Sequence, residues 1–145
     1  MKKDYSYWIV PIYVNEIWEK EFLVIHQKTK HWSYWWLPKG HMEKWENEIQ
    51  AAKRELYEEV DIKDIEILEN KSFETQYFFE ENGEKIDKTS KYWIWLVDNK
   101  DTKIQQAELL EFVWLNELEV KRRLTHNNNK MMFDEILKFI KNIDL

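Results

Sequence analysis

The sequence predicts an α+β domain in which helices pack on a mixed β-sheet, and three observations support this prediction. Strand-like segments and two amphipathic helical segments follow one another in the order strands, helix, strands, helix, rather than as a regular βαβ repeat. Hydrophobic residues make up 43% of the chain and aromatic residues 16%, enough to bury a sizeable core. The 145 residues contain no linker or repeat, so we expect residues 1–145 to form a single domain.

The N-terminal part of the chain predicts two strands and a third short aromatic segment. Tyr7–Val14 and Phe22–His26 are rich in the aromatic and β-branched residues that strands favour. The polar turn between them carries Ile17 and Trp18, which no requirement of a turn explains. Trp32–Leu37 is aromatic and short, and a proline closes it.

Two later segments have the periodicity of amphipathic helices. In Glu46–Val60 the apolar stripe consists of Ile49, Ala52, Leu56 and Val60. In Met131–Ile143 the stripe consists of Met132, Ile136, Phe139, Ile140 and Ile143. The three asparagines at 127–129 are predicted to form a loop before this second helix. The remaining segments predicted as strands are Ile62–Leu68, Phe73–Phe79, Lys91–Val97 and Phe112–Leu115.

Composition excludes several classes of protein and of site. The chain has no cysteine, which excludes disulfides, thiolate metal sites and a cysteine nucleophile. The net charge of −6 argues against bulk attraction to nucleic acid or to an anionic membrane. No Gly-x-Gly occurs, which excludes a glycine-rich phosphate loop. Asp4 and Pro11 interrupt a segment that would otherwise imitate a signal peptide, and no membrane span is evident, so we expect a cytoplasmic protein.

The strongest chemical signal lies on the first predicted helix. Glu55, Glu58 and Glu59 stand at i, i+3 and i+4 and share one face, with Arg54 within reach of Glu58. Clustered carboxylates repel one another unless a cation lies among them, and Mg²⁺ or Mn²⁺ prefers such oxygen ligands. The alternative is a solvated acidic helix face, which these three residues alone favour because glutamate is common on exposed helices.

The surrounding residues resemble the signature of a known family. The chain reads Gly40-His-Met-Glu-Lys-Trp45-Glu46, then seven residues, then Arg54-Glu-Leu-Tyr-Glu-Glu-Val-Asp61-Ile. This segment resembles the Nudix box at every specified position except its last glycine, which Asp61 replaces. Trp45 stands where many members also have glycine. Aspartate tolerates a left-handed backbone better than most residues, so we expect Asp61 to close the helix.

The resemblance implies a fold, a chemistry and roles for individual residues. The implied fold is an α/β/α sandwich in which the box forms a loop, a helix and a second loop. The implied chemistry is hydrolysis of a nucleoside diphosphate linked to another group, with Mg²⁺ or Mn²⁺ as cofactor. In this reading Glu55, Glu58, Glu59 and Gly40 belong to the metal site, and Arg54 orients the glutamates.

Two stretches resemble one branch of the family, the asymmetric dinucleoside tetraphosphate hydrolases. Pro-Lys39-Gly-His41-Met-Glu is similar to the Pro-Lys-Gly-His-x-Glu segment of that group, which implies that Lys39 and His41 contact the polyphosphate. Lys88-Thr-Ser-Lys-Tyr92-Trp is similar to its Lys-Thr-x-x-Tyr-Trp segment, which implies that Lys88 and Tyr92 bind substrate. The alternatives are an exposed surface lysine at 39 and a loop histidine bonded to the backbone at 41.

The resemblance also suggests a further acid and two aromatic contacts. Glu108, six residues before a strand tryptophan, is the candidate for an extra metal ligand or for the base that activates water, and Glu111 competes for that role. Phe112 matches one of the rings that hold an adenine in this group, and Phe79 matches the other less closely because the following loop is longer. Both phenylalanines could instead be core residues of strands.

The resulting hypothesis is metal-dependent hydrolysis of a dinucleoside polyphosphate, in which water attacks a phosphorus and diadenosine tetraphosphate yields ATP and AMP. Its candidate catalytic residues are Glu58, Glu55, Glu108 and Arg54. The alternatives are removal of an RNA 5′-pyrophosphate, cleavage of a nucleoside triphosphate or of a diphosphoinositol polyphosphate, and a non-catalytic nucleotide-binding module. The expected partner is a small nucleotide, and the expected state is a monomer or homodimer.

Overall fold

A computed structural model describes residues 1–40, 46–63, 67–105 and 109–142, with the backbone alone for 67–70. The strands in these ranges are β1 (Lys2–Val14), β2 (Lys20–Lys28), β3 (Ser33–Trp36), β4 (Lys39–Gly40), β5 (Ile67–Glu81), β6 (Glu84–Val97) and β7 (Leu109–Asn116). The helices are α1 (Glu48–Val60), α2 (Glu117–Arg123) and α3 (Asn127–Lys141). None of these helices has the length and hydropathy that a membrane crossing requires.

The strands form one mixed sheet, as predicted. Its order is β3-β2-β1-β6-β5, with β4 paired to β1 and β7 paired to β2. β1 and β6 run parallel, with Trp8 opposite Tyr92, while the other pairs are antiparallel. Because side chains alternate between the two faces of a strand, this register decides which functional residues share a face.

One face of the sheet is covered by α1. Leu56 and Val60 of the helix are fully buried against Ile9 of β1, Leu23 of β2 and Trp95 of β6. The predicted stripe is correct at these positions and wrong at its first residue. The side chain at 49 is 39% exposed, and the alanine at 51 is buried in its place. The rotation of α1 against the sheet decides which side chains of its first turn are buried.

The opposite face is covered by α2 and α3. Val120 of α2 and the buried side of α3, including Phe133 and Ile136, pack on Val10 and Ile12 of β1. The sheet therefore lies between helices on both sides, which confirms the predicted α/β/α sandwich.

Three element predictions need correction. The predicted strands Ile62–Leu68 and Phe73–Phe79 are not two separate strands in the described residues, because β5 runs without a break from Ile67 to Glu81. Ile62 is buried in the connection after α1, and positions 64–66 of the first predicted strand lie outside the described residues. The asparagines at 127–129 form the first turn of α3 rather than a loop. The short helix α2 was not predicted, because only one of its seven side chains, Val120, is buried and no apolar stripe exists. Position 143 of the predicted helix lies outside the described residues.

The helix that carries the acidic residues ends as predicted. Asp61 adopts the left-handed conformation, with φ 59° and ψ 31°, and its backbone N–H donates to the Tyr57 carbonyl at 3.0 Å. Asp61 thus ends the helix at the position where the Nudix box has glycine. Trp45, the other departure from the box, lies outside the described residues.

Candidate active site

A capping box defines where α1 starts and therefore where its side chains point. The Asn47 side chain accepts a hydrogen bond from the Gln50 N–H at 2.9 Å, and the Gln50 side chain accepts one from the Asn47 N–H at 2.9 Å. Both bonds satisfy backbone donors that a helix start leaves unpaired. The box residue Glu46 immediately precedes this cap, so the helix start fixes its position relative to the first two turns.

Arg54 binds three glutamates at once. Its Nε and Nη2 donate to the two oxygens of Glu46 at 2.6 and 2.9 Å, and its Nη1 donates to Glu55 and to Glu58, each at 3.1 Å. These bonds, above all those to Glu46, raise the pKa of Arg54. The sequence predicted the contact between Arg54 and Glu58 but assigned no role to Glu46. The specified position of Glu46 in the box was the feature that could have indicated its role.

Glu59 is a buried acid with an unsatisfied oxygen. It is 9% exposed, and its Oε2 has no hydrogen-bond partner among the described residues. Burial, and then the nearby charges of Glu55 and Glu58, raise the pKa of Glu59 to about 8. A buried carboxyl oxygen without a donor is costly unless it is protonated or meets a cation.

The carboxylates of α1 are ligands that a hard divalent ion prefers, but they are not grouped around a single point in this structure. Within the described ranges, no three carboxylate or histidine side chains are grouped closely enough to hold a metal. Glu55 and Glu58 are bound to Arg54, while the Oε2 atom of Glu59 is buried and has no hydrogen-bond partner among the described residues. Arg54 contacts one oxygen of each carboxylate, Oε1 of Glu55 and Oε2 of Glu58, so metal binding would require these side chains to converge with Arg54 still in place.

Lys39 and Lys88 lie on the face of the sheet that α3 covers. Lys39 pairs in β4 with Trp8, and its Nζ lies 5.3 Å from the centre of the Trp8 ring. It is half-buried and has no ion pair in the part of the chain that the structure describes. Burial, and then the neighbouring Lys88, lower the pKa of Lys39, while Asp4 opposes this effect.

Lys88, by contrast, is held by partners on β1. Its Nζ donates to Asp4 Oδ2 at 2.9 Å and to Ser6 Oγ at 2.5 Å. The parallel register places Asp4 directly opposite Lys88, so this contact follows from the pairing of β1 with β6. Neither Asp4 nor Ser6 was predicted as a site residue, because strand register is not visible in the sequence.

A cavity of about 520 Å³ joins the two lysines to aromatic and amide side chains. Its walls come from β1, β4, β5, β6 and the first turns of α3, and include Trp8, Lys39, Tyr77, Lys88, Tyr92 and Asn129. Three of the predicted substrate residues therefore line one space. Tyr77 is an addition, and the alternation of β5 puts it on the same face as Phe79, at 5.8 Å between ring centres.

The structure does not bring the two predicted aromatic contacts together. Phe112 pairs with Ile25 and packs into the cluster beneath α1, while Phe79 lies on the opposite face of the sheet. A clamp with one ring on each side of an adenine is therefore not formed by these two residues. The registers of β7 and β5 are the reason, since they place 112 and 79 on different faces.

The remaining predicted residues divide between the faces or lie outside the described ranges. Gly40 pairs with Tyr7 of β1, beside the start of α1. Glu111 forms an ion pair with His26, Nδ1 to Oε1 at 3.2 Å, on the face of the sheet opposite α1. His41 and Glu108 lie outside the described residues.

The family model of the NUDIX domain matches residues 7–135 of this sequence, which is nearly the whole chain. The chain belongs to the NUDIX family. It is thereby placed among the Nudix hydrolases, which act on nucleoside polyphosphates and are generally dependent on divalent metals. No curated protein sequence gives a significant match.

Solved structures resemble this NUDIX protein along almost its full length. An Ap4A hydrolase from C. elegans in a binary complex has 22% identity and a TM-score of 0.71, covering 96% of this chain and 98% of that one. The NUDIX domain of Shewanella oneidensis NrtR, complexed with ADP ribose, has 12% identity and a TM-score of 0.72, with coverages of 97% and 90%. The E. coli dihydroneopterin triphosphate pyrophosphohydrolase has 18% identity and a TM-score of 0.63, with both coverages 96%. At these identities the comparisons show the fold and not the substrate.

Proposed function

We propose that this NUDIX protein hydrolyses a dinucleoside tetraphosphate, with diadenosine tetraphosphate giving ATP and AMP. The observation that carries the proposal is that one short segment of the chain connects the strand that carries Lys39 with the acidic helix α1. Lys39 enters a lysine-lined cavity from β4, and the chain then leads within a few residues to the acidic helix α1. Because β4 also contacts α1, a polyphosphate bound by the lysines on the α3 face would reach the carboxylate patch on the α1 face by extending past β4, which suits hydrolysis of a long phosphate chain.

On the acidic side, Glu55, Glu58 and Glu59 would hold Mg²⁺ or Mn²⁺. When bound, the ion neutralises charge on the phosphoryl oxygens and lowers the pKa of a coordinated water. Arg54 keeps Glu55 and Glu58 on one side of the helix through its Nη1. Its bond to Glu46 holds the guanidinium in place, so the guanidinium does not move toward the substrate. The buried Glu59 supplies an oxygen that no protein donor among the described residues claims.

On the basic side, Lys39 and Lys88 would bind phosphate oxygens in different ways. Lys39 has no carboxylate partner in the described ranges, so its full charge is available to the substrate. Lys88 is already paired with Asp4 and donates to Ser6, so it serves as an oriented hydrogen-bond donor more than as a free charge. His41 remains a candidate for a further phosphate contact.

Proton transfer from the attacking water is assigned to Glu108. The backbone N–H of Gln105 donates to the Glu59 carbonyl at 3.0 Å, and Leu109 packs in the cluster beneath α1. The chain thus lies along α1 on both sides of Glu108, which favours this residue over Glu111 on the other face.

The first experiment is product analysis of diadenosine tetraphosphate incubated with the protein and Mg²⁺ in ¹⁸O-labelled water. We expect equal amounts of ATP and AMP, with the label in only one of them, because a single phosphorus is attacked. Two molecules of ADP would contradict the asymmetric cleavage. An intact dinucleotide alongside turnover of ADP-ribose, a nucleoside triphosphate, a diphosphoinositol polyphosphate or 5′-triphosphate RNA would assign the protein to another NUDIX substrate.

A pair of matched variants separates the enzyme from a binding module. Glu58→Gln should lower kcat at least ~100-fold, because it removes a charge that the ion and the transition state require. Glu84→Gln, at the exposed start of β6, is the control and should leave kcat unchanged. Wild-type protein that binds the dinucleotide with no turnover at any Mg²⁺ or Mn²⁺ concentration would favour the non-catalytic module.

A further inference from the structure

We propose that this chain forms a two-fold symmetric homodimer through the turn between β1 and β2 and the start of α2. Three apolar side chains are exposed in this region: Trp18 by 85%, Ile17 by 77% and Leu118 by 56%. Neither the core nor the proposed active site uses any of them. Clusters of large exposed apolar side chains commonly mark interaction surfaces.

The backbone under Trp18 supports a role beyond folding. Trp18 has φ 65°, a left-handed conformation that hairpin loops normally give to glycine or asparagine and that is unusual for a bulky residue. A glycine would fit this position with less strain and expose less apolar surface. The turn therefore carries a tryptophan at a conformational disadvantage, and strain of this kind accompanies functional surfaces.

The turn also holds the tryptophan in a defined position. The Asn15 side-chain oxygen accepts hydrogen bonds from the backbone N–H groups of Ile17 at 3.1 Å and of Glu19 at 2.9 Å. The Trp18 N–H donates to the Asn15 carbonyl at 3.0 Å, and the Asn15 N–H donates to the Glu19 carbonyl at 2.9 Å. A turn that is ordered before binding loses little entropy when a partner covers it.

A cavity adjoins the turn that carries Trp18, because the next two residues of the chain are part of its lining. It measures about 530 Å³ and is lined by Glu19, Lys20, Asn116, Glu117, Leu118 and Lys121. This volume is in the range of pockets that bind whole ligands, and it is larger than the volume that one side chain occupies. Its wall offers an apolar contact at Leu118 and charges of both signs.

A second copy of the chain is the occupant that fits this arrangement. In a two-fold interface the same patch lies on both subunits, so the patch must contain both a protrusion and its receptor. Trp18 and the neighbouring cavity meet that condition, and each indole can enter the cavity of the other copy. Glutamates and lysines on the same rim make the patch complementary to itself, whereas a patch of one sign would repel its copy. Three apolar residues per subunit make a small interface, so we expect a Kd in the micromolar range.

Sedimentation velocity from ~1 to ~300 µM tests the proposal across that range of Kd. We expect the wild-type sedimentation coefficient to rise with concentration to that of a dimer. Trp18→Gly should weaken association at least tenfold and should not lower the melting temperature of the dilute protein, because glycine suits the left-handed position. Leu118→Glu, which places a charge in the cavity wall, should also leave a monomer.

The matched control is Trp32→Ala, since Trp32 is another exposed tryptophan in a different hairpin turn. It should associate as the wild type does. The proposal is overturned by a wild-type protein that stays monomeric throughout the range. It is equally overturned if the Trp32 variant loses association to the same extent, or if Leu118→Glu, folded by circular dichroism, still dimerises with the wild-type Kd.

Discussion

Glu46 and Arg54 form a two-point ion pair that orients the acidic helix. The Glu46 side chain is 1% exposed, and its two oxygens accept from Arg54 Nε at 2.6 Å and Nη2 at 2.9 Å. Because the guanidinium is planar, two such bonds fix its plane. The remaining nitrogen then holds Glu55 and Glu58. One buried carboxylate thus determines where two candidate metal ligands lie.

Glu46→Gln should therefore reduce activity more than stability. Glutamine keeps one acceptor but loses the charge, so Arg54 should turn toward Glu55 and Glu58 and compete with the metal for them. By analogy with residues that orient metal ligands, we expect the Mg²⁺ affinity or kcat to fall ~10–100-fold. The free energy of unfolding should fall by about 1–3 kcal/mol. Initial rates measured against Mg²⁺ concentration, together with urea unfolding, check both values.

The control for this variant is Glu119→Gln. Glu119 accepts from Arg122 at 3.0 Å, but both side chains are exposed on α2. Exposed pairs contribute at most about 1 kcal/mol, so the unfolding free energy should change by no more than that. The kcat should stay at the wild-type value. Equal effects of the two substitutions on Mg²⁺ affinity would show that Glu46 has no orienting role.

Glu59 should make the metal-free protein less stable as the pH rises. Its pKa is raised from 4.5 to about 8, first by burial and then by Glu55 and Glu58. A carboxyl with a raised pKa contributes stability that is fully present below 4.5 and is lost as the pH rises through about 8, because the unfolded chain releases the proton earlier. In EDTA, the wild-type unfolding free energy should fall by as much as ~4 kcal/mol between pH 5 and 9.

Glu59→Gln is the variant that isolates this effect. The amide cannot ionise, so its stability in EDTA should depend less on pH and exceed that of the wild type at pH 9. Added Mg²⁺ should stabilise the wild type and have little effect on the variant. Parallel pH curves for the two proteins would mean that folding does not raise the pKa of Glu59.

Lys39→Met should separate substrate binding from stability. Lys39 is half-buried over Trp8 and has no ion pair in the described ranges, so methionine should preserve or raise the melting temperature. The KM for the dinucleotide should rise at least ~10-fold, because a charge-assisted bond to phosphate is lost. Lys88→Met should raise the KM less, since Asp4 already offsets its charge. Lys30→Met, in an exposed turn, is the control, and an equal rise there would remove the assignment of Lys39.

The sequence could predict local features of the site better than the arrangement of its parts. Helical periodicity placed the three glutamates on one patch, and box spacing identified Arg54, because both depend on residues within one helix. The burial of Glu59 and the exposure of Ile49 depend on how α1 rotates against the sheet. That rotation is decided by contacts with strands distant in the sequence, such as Leu23 of β2.

Strand register explains the other failures of prediction. The contact of Lys88 with Asp4 needs the parallel pairing of β1 and β6, which joins residues 84 positions apart. The same limitation allowed Phe79 and Phe112 to be predicted as one clamp although they lie on opposite faces. A shift of one residue in either register would reverse the face, and the register is decided together with partner strands that are distant in the sequence.

A double-mutant cycle on Phe79 and Phe112 tests this separation. Because the two rings lie on opposite faces of the sheet, the effects of Phe79→Leu and Phe112→Leu on kcat/KM should add to within about 0.5 kcal/mol in the double variant. Phe112→Leu should also lower the unfolding free energy by about 1 kcal/mol, since Phe112 packs beneath α1. Phe79→Leu should change it less, because that ring is more exposed. A coupling above ~1 kcal/mol would mean that both rings contact one adenine, which would require a rearrangement of β5 or β7 on binding.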